Sequence, residues 1–344
     1  MKEILRKLAD GRNLTDSEAR DAATEIMEGR ATEAEMASFL TALRMKGETA
    51  EEIASIASVM REKCMRVTAP QGTIDLCGTG GAPVKTFNVS TISSFVVASA
   101  GIPVAKHGNR SFTSRSGSAD LLEKLGANIN IEPKTAEKML SQCGITFLFA
   151  PEYHPATKNV AAVRRALSFR TVFNLIGPLT NPAGVSRQLL GVFSDQYQEK
   201  LATALMLLGS ERAMVVHGGI GLDEISPRGR TAVMEVRNGV IEKYEIEGSD
   251  YSGFGTGIWE PVAVADSTGS ADFAARVLDN RAGEGERSIV LLNSAAGLYV
   301  SGKCDSIEQG MEMALELIES GRALAKLREF ISLSREGTGG AGNG

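Results

Sequence analysis

The chain has 344 residues, 43% of them apolar and 23% charged, with a formal net charge of −5. That length and composition fit one large globular domain or two ordinary ones with ample core. An acidic balance without a basic run argues against a nucleic-acid surface, and no stretch approaches the ~18 apolar residues of a membrane span. The four cysteines, Cys64, Cys77, Cys143 and Cys304, are widely spaced and form no CxxC pair. With only three histidines besides, a zinc site is disfavoured and a reducing, cytoplasmic setting is expected. The amino terminus, Met1 to Lys7, is a charged amphipathic start without an apolar signal region.

Residues 1 to about 66 read as helix throughout. Three capping boxes punctuate them: Thr15 with Glu18, Thr32 with Glu35, and Thr49 with Glu52. Each precedes an apolar stripe at helical spacing, such as Met36, Phe39, Leu40 and Leu43, or Ile53, Ile56 and Met60. Such helices must bury that stripe, in an ordinary helical subdomain or partly as a dimer face. After Pro70 the pattern turns to βα alternation. Strands are expected at Thr73–Cys77, Ile102–Ala105, Ala127–Ile131, Thr146–Phe149, Gln188–Val192 and Ala213–His217. Helices are expected at Val89–Ala100, Ser118–Leu125, Thr135–Gln142 and Gln196–Leu208. The fold class is therefore α/β, a small helical domain beside a larger domain with a mostly parallel sheet. Ala156 to about Leu179 reads as helix again and packs back on the amino-terminal helices. Asn238-Gly239, between Val233–Val236 and Ile241–Ile246, signals a hairpin. Ile307 to Leu333 reads as one long closing helix. The domains expected are 1–68, joined by the insert 156–182; 69–336; and a flexible glycine-rich tail, 337–344.

The stretch from Thr73 to Ser118 carries the strongest chemical signal. Gly78-Thr79-Gly80-Gly81 follows a strand, and Asn88-Val89-Ser90-Thr91 opens an apolar helix. Glycines let backbone N–H groups approach a phosphate, and the following helix turns its positive end toward the anion. Ser90 and Thr91 stand where a helix start calls for a hydroxyl cap, and hydroxyls also bind phosphate or a hard cation. Lys106, in Lys106-His107-Gly108-Asn109-Arg110, brings a cation to the end of the neighbouring strand, where open α/β sheets hold ligands. The pentapeptide itself is weak evidence, because Gly78 to Ala82 recurs letter for letter as Gly337 to Ala341 in the tail. Context gives it meaning.

Other constellations have two readings. Asp223-Glu224 at a strand end offers two hard oxygen ligands for magnesium, but a bare acidic dipeptide is more readily a solvated turn. Arg164-Arg165 is a surface pair or a fork for a carboxylate. His154, between Tyr153 and Pro155, is a ligand contact or a loop residue. Gly177 to Pro182 forms a rigid turn that holds a pocket wall. No nucleophile with a partner base is evident, and Cys77 reads as a buried strand-end thiol. The pattern suits a site that binds and polarises, as phosphoryl and ribosyl transfers require.

In combination, Gly78–Gly81, Asn88–Thr91, Lys106–Arg110, Ser116–Asp120, Tyr153–Pro155, Arg164, Phe173–Pro182 and Asp223-Glu224 resemble the anthranilate phosphoribosyltransferase family over nearly the whole chain. The resemblance implies a homodimeric enzyme of tryptophan biosynthesis with a nucleoside phosphorylase-like fold. It would transfer 5-phosphoribosyl from phosphoribosyl pyrophosphate to the amine of anthranilate, releasing pyrophosphate, with Mg2+. Carried over by position, Gly78, Gly81, Ala82, Thr86, Asn88, Ser90, Thr91, Lys106, His107, Gly108, Asn109, Ser114 and Ser118 would hold phosphoribosyl pyrophosphate. Gly78, Asn109, His154, Arg164 and Gly177 would line the anthranilate path. Ser90, Asp223 and Glu224 would handle magnesium, and Lys106, Asn109 and Arg164 would act in catalysis. One departure stands out: the family usually has Asp directly after the two glycines, and this chain has Ala82 and then Pro83. Two rivals share the fold group. A pyrimidine nucleoside phosphorylase would usually continue the lysine–histidine turn with serine and threonine, whereas here it continues Gly108-Asn109. A non-catalytic relative binding nucleic acid would need a basic surface. Neither nucleic acid nor membrane is expected as a partner.

Overall fold

A computed structural model describes residues 1–84, 86–110, 116–261 and 266–336. Four helices open the chain: α1 (Lys2–Ala9), α2 (Asp16–Met27), α3 (Glu33–Lys46) and α4 (Ala50–Lys63). All three capping boxes form, each threonine accepting from the glutamate N–H three residues on and the glutamate accepting in return. The third does more. Buried Glu52 accepts from Thr49 N (2.9 Å), Leu14 N (2.8 Å) and Lys46 Nζ (2.9 Å), tying two loops to one carboxylate.

The sheet follows: β1 (Ile74–Gly78), α5 (Val89–Ser99), β2 (Val104–Gly108), α6 (Ser118–Lys124), α7 (Pro133–Gln142), β3 (Ile145–Phe149), β4 (Arg187–Gly191), β5 (Arg212–Gly218), β6 (Arg230–Arg237) and β7 (Val240–Glu247). The strands lie in the order β3-β2-β1-β4-β5-β6-β7. Pairing is parallel from β3 to β5 and antiparallel at the β6 and β7 edge. The expected hairpin is present. Asn238 and Gly239 both have positive φ, 51° and 78°, as a primed two-residue turn requires.

Helix Lys158–Leu167 and the short turns Phe173–Ile176 and Gly177–Thr180 pack back on the amino-terminal helices. Arg61 Nε donates to Leu179 O at 2.6 Å, and Asn159 Nδ2 donates to Met27 O at 2.8 Å. Ile53 and Ile56 share one apolar core with Val160, Leu179, Leu190, Leu205 and Val215, so the helical layer and one sheet face are continuous.

Three expectations need correction. Residues 127–131 form no strand. Ile129 and Ile131 are buried, but Asn128 N donates to Ser334 Oγ at 3.0 Å, so the segment docks on the closing helix. The insert is not one helix: it breaks at Ser168, whose φ is 53°, and tightens to 3₁₀ at Gly177. The closing helix is two, Ile307–Glu319 and Arg322–Glu336, separated at Gly321 with φ 75°. The structure adds three α-helices beyond those expected, the short Ala150–Tyr153 and the longer Ser267–Leu278 and Glu284–Ser301. The tail 337–344 lies outside the described residues.

Candidate active site

After β1 the chain moves outward to β2 and β3, then returns to place β4 on the other side of β1. Such a reversal leaves a crevice beyond the carboxyl ends of the strands, where open α/β sheets bind ligands. Gly78 and Gly191 are register partners at that point. Gly191 has no room for a side chain, because the Asp223 carbonyl packs on its Cα. The Asp223-Glu224 turn therefore lies directly over the β1/β4 crevice. Gly108 is closed in the same way by Ser118 Oγ and Phe147.

Gly80 and Gly81 take φ of 68° and 78°, values that favour residues without Cβ. Thr79 N donates to Gly191 O at 2.9 Å. Among the described residues the N–H groups of Gly80, Gly81 and Ala82 donate to no protein acceptor. Three free donors in sequence at a strand end form an anion-binding concavity.

A cavity of about 550 Å³ opens here, a volume within the usual range for small-molecule sites. Gly78, Gly81, Ala82, Thr86, Asn88, Ser90, Thr91, Lys106, His107, Gly108, Asn109, Ser118, Arg164, Gly177, Asp223 and Glu224 all line it. Ser114 lies outside the described residues. His154 sits one layer behind, its ring 5.2 Å from that of His107.

Neither Ser90 nor Thr91 caps α5. The helix starts after Asn88, whose side chain reaches away to the Ser116 carbonyl and the Ser270 hydroxyl. Ser90 Oγ instead accepts from Lys106 Nζ at 3.3 Å, and Thr91 Oγ1 is buried without a partner. Lys106 Nζ also donates to Leu76 O at 2.7 Å. Burial lowers the Lys106 pKa, opposed first by the charge of Asp75. Asp75 is itself fully buried, accepting from Asn181 Nδ2 (2.8 Å) and His107 N (3.3 Å). Burial pushes its carboxyl up to about 6, with Lys106 the main counterweight.

Glu224 is raised well above the usual carboxyl range by burial and then by its neighbour Asp223. The Asp223 charge beside Glu224 disfavours a second negative charge there, a cost that a proton or a bound cation would relieve. Asp223, Glu224 and the Ser90 hydroxyl are hard oxygen donors suited to magnesium, which favours one or two carboxylates plus phosphate oxygens and water. No cluster of three His, Cys, Asp or Glu occurs among the described residues, so a substrate would have to complete the shell.

At the other end of the cavity, the Arg164 guanidinium lies over the Phe173 ring, 5.3 Å from its centroid, and makes no ion pair among the described residues. Its neighbour Arg165 is exposed. Burial lowers the pKa of Arg164, so this half-buried cation lacks only an anion. His107 and His154 are both buried, and burial holds both below the usual histidine range, His154 at about 4. Arg170, Asn174 and Phe193 also line the cavity. Asn174 falls within the Phe173–Pro182 block, whereas Arg170, on a loop, and Phe193, after β4, stand outside the motifs, with no local pattern to mark them.

Fold and site together fit a transferase with a helical domain and an α/β domain whose glycine turn offers N–H donors to an anion. Residues 2–64 match the helical bundle domain of a glycosyl transferase family, and residues 70–324 match its a/b domain. Anthranilate phosphoribosyltransferase from Rubrobacter xylanophilus is 49% identical over 97% of this chain and 98% of its own length. The enzyme of that name from Methanobrevibacter smithii is 45% identical over 96% and 98%. The crystal structure of anthranilate phosphoribosyltransferase from Thermus thermophilus superposes with a TM-score of 0.88 at 36% identity, covering 96% of this chain and 99% of that one. The Saccharomyces cerevisiae enzyme in complex with PRPP and Mg gives 0.87 at 30% identity, covering 97% of each. The chain belongs to the anthranilate phosphoribosyltransferase family.

Proposed function

We infer that this protein transfers 5-phosphoribosyl from phosphoribosyl pyrophosphate to the amino group of anthranilate, releasing pyrophosphate, as a step of tryptophan biosynthesis. One observation carries the reading. A single cavity joins a turn of free N–H donors and buried Lys106 to an unpaired arginine above an aromatic ring. That is a place for a polyphosphate at one end and an aromatic carboxylate at the other.

The residues suggest a division of labour. The Gly80, Gly81 and Ala82 N–H groups and Ser118 hold phosphate, while Asn88 and Thr91 bound the ribose. Asp223, Glu224 and Ser90 would hold Mg2+, which when bound offsets negative charge on pyrophosphate. Lys106 stands where charge grows on the departing oxygen, anchored so that little reorganisation is needed. Arg164 fixes the carboxylate, with Asn109 and Gly177 setting the aromatic ring between the two ends. The bond from C1′ to pyrophosphate oxygen breaks with its electron pair, the neutral amine nitrogen bonds to C1′, and the nitrogen then releases a proton. No strong base is required, because the nitrogen becomes acidic only after bonding. Alignment of two bound substrates supplies much of the rate.

We further read the protein as a cytoplasmic homodimer joined through its helical layer, where Met45 on α3 stands 83% exposed. No helix among the described residues is long and apolar enough to cross a membrane. The assay is direct: anthranilate fluorescence should fall when phosphoribosyl pyrophosphate and magnesium are added. No loss of fluorescence, with phosphorolysis of thymidine or uridine instead, would replace this reading by a pyrimidine nucleoside phosphorylase.

A further inference from the structure

Arg170 lies in the break between helix Lys158–Leu167 and the turn Phe173–Ile176. Its Nη2 donates to the Gly81 carbonyl at 2.6 Å. Its guanidinium lies over the Phe193 ring, with Cζ 3.7 Å from the centroid. Phe193 N donates to Thr79 Oγ1 at 3.1 Å, so the same residue also grips the start of the glycine turn. Behind Phe193 stands Tyr197, ring centroids 5.2 Å apart, and the Tyr197 hydroxyl accepts from Arg44 of α3. A Cβ on Gly81 would overlap the Arg170 guanidinium.

A turn that offers successive N–H groups to an anion must also dispose of the carbonyls between them, since a carbonyl dipole aimed at phosphate opposes binding. The Gly81 carbonyl lies between the free N–H groups of Gly81 and Ala82, and it is the one Arg170 engages. In a planar trans peptide the Ala82 N–H then points the opposite way from that carbonyl. A guanidinium suits the task because it can donate in its plane while its face rests on an aromatic ring; an ammonium cannot do both.

We propose that Arg170 is a positioning residue for the pyrophosphate end of the site. It turns the Gly81 carbonyl outward, with Phe193 as its platform, and so sets the turn's N–H groups toward the cavity. This rests on the phosphoribosyl-transfer reading. It differs from a general structural role in acting on one substrate.

Steady-state kinetics with each substrate varied would test it. Arg170→Ala should raise KM for phosphoribosyl pyrophosphate about tenfold or more, as loss of a charged hydrogen bond implies, and leave KM for anthranilate within about twofold. Phe193→Leu should move the same constant in the same direction, and the double variant should exceed Arg170→Ala by no more than about twofold, since both act on one contact. Arg170→Lys should remain several-fold above the parent; full rescue by lysine would mean that charge alone acts and would overturn the positioning role. An unchanged KM for phosphoribosyl pyrophosphate in Arg170→Ala, or an equal rise in both constants, would also overturn it. If Arg170→Ala does not fold, the lysine and Phe193 variants decide by the same criterion. A parent without turnover rejects the transferase reading; an active parent with indifferent variants rejects only the role of Arg170.

Discussion

The rings of His107 and His154 lie 5.2 Å apart with their planes at 54°, and neither Nε2 finds a hydrogen-bond partner. Two buried imidazoles so close cannot readily share positive charge. Burial keeps both neutral, and the charge that His154 would carry depresses His107 further. The cavity wall at His107 is therefore uncharged at neutral pH, and the positive charge lining the cavity comes from Lys106, Arg110, Arg164 and Arg170.

Stability should follow from this with a definite sign. His154 has a folded pKa of about 4 against 6.5 for the free side chain, so the unfolded chain takes up its proton first. Its contribution is full above pH 6.5, declines on acidification, and is lost by about pH 4, a change on the order of 3 kcal/mol. Asp75, raised to about 6, works in the other direction, weakening the fold as pH rises from 3.8 to about 6. Urea unfolding of the parent and His154→Asn at pH 7.5 and 5 separates the two. The variant should lose less stability on acidification, and equal losses would remove His154 from the account.

Arg164 should be specific to the aromatic substrate. Arg164→Ala should weaken anthranilate by about 1.5–3 kcal/mol, as for a hydrogen bond to a charged group, with affinity for phosphoribosyl pyrophosphate barely changed. An unchanged KM for anthranilate would end this assignment. Arg165→Ala, altering an exposed neighbour, provides the control.

Magnesium should depend on Glu224. Glu224→Gln is expected to lower kcat and to raise the magnesium needed for half-maximal rate. Because burial and Asp223 raise the Glu224 pKa, the magnesium requirement of the parent should climb as pH falls, and that of the variant should not. At the phosphate turn, the buried methyl of Ala82 offers the ion no carboxylate. Ala82→Asp should therefore increase inhibition at high magnesium, and identical profiles for parent and variant would show that this side chain plays no part in metal handling.

Glu52 should matter to stability out of proportion to its place on the helical layer. It is buried, pairs with a nearly buried Lys46, and accepts two backbone N–H groups. Glu52→Gln leaves the ammonium without its anion, a loss of roughly 3–5 kcal/mol for a broken buried pair. Urea denaturation would measure it; a change below about 1 kcal/mol, the range of exposed pairs, would show that water reaches Lys46.

Assembly can be tested at α3. The parent should sediment as a dimer at micromolar concentration, and Met45→Asp, which puts a charge on the most exposed methionine of the helical layer, should yield monomers. A monomeric parent would refute the dimer.

What could be read from the chain was whatever is local. A capping box spans four residues and the Asn238-Gly239 turn two, so each is complete in the sequence. The phosphate turn and Lys106 fall within one short stretch, and their chemistry is visible there. Helix Glu284–Ser301 escaped because it is buried on nearly every side, which leaves no stripe to detect. Ala127–Ile131 does alternate, and its isoleucines are buried. Their partner is a helix some two hundred residues later, which no local period can reveal. Arg170 and Phe193 were illegible for the same reason: each acquires meaning only from the other and from Gly81.

The continuous core of the helical layer has a further consequence during synthesis. Ile53 and Ile56 belong to a core that also takes in Leu179 and Leu205, and their helix packs on the elements carrying both. On a translating ribosome those partners follow the first four helices by roughly a hundred residues or more, a delay on the order of ten seconds at ordinary elongation rates. Throughout that interval the nascent helices display a bare apolar face, which makes this stretch the natural client of a holding chaperone and the point where premature termination would leave an aggregation-prone fragment.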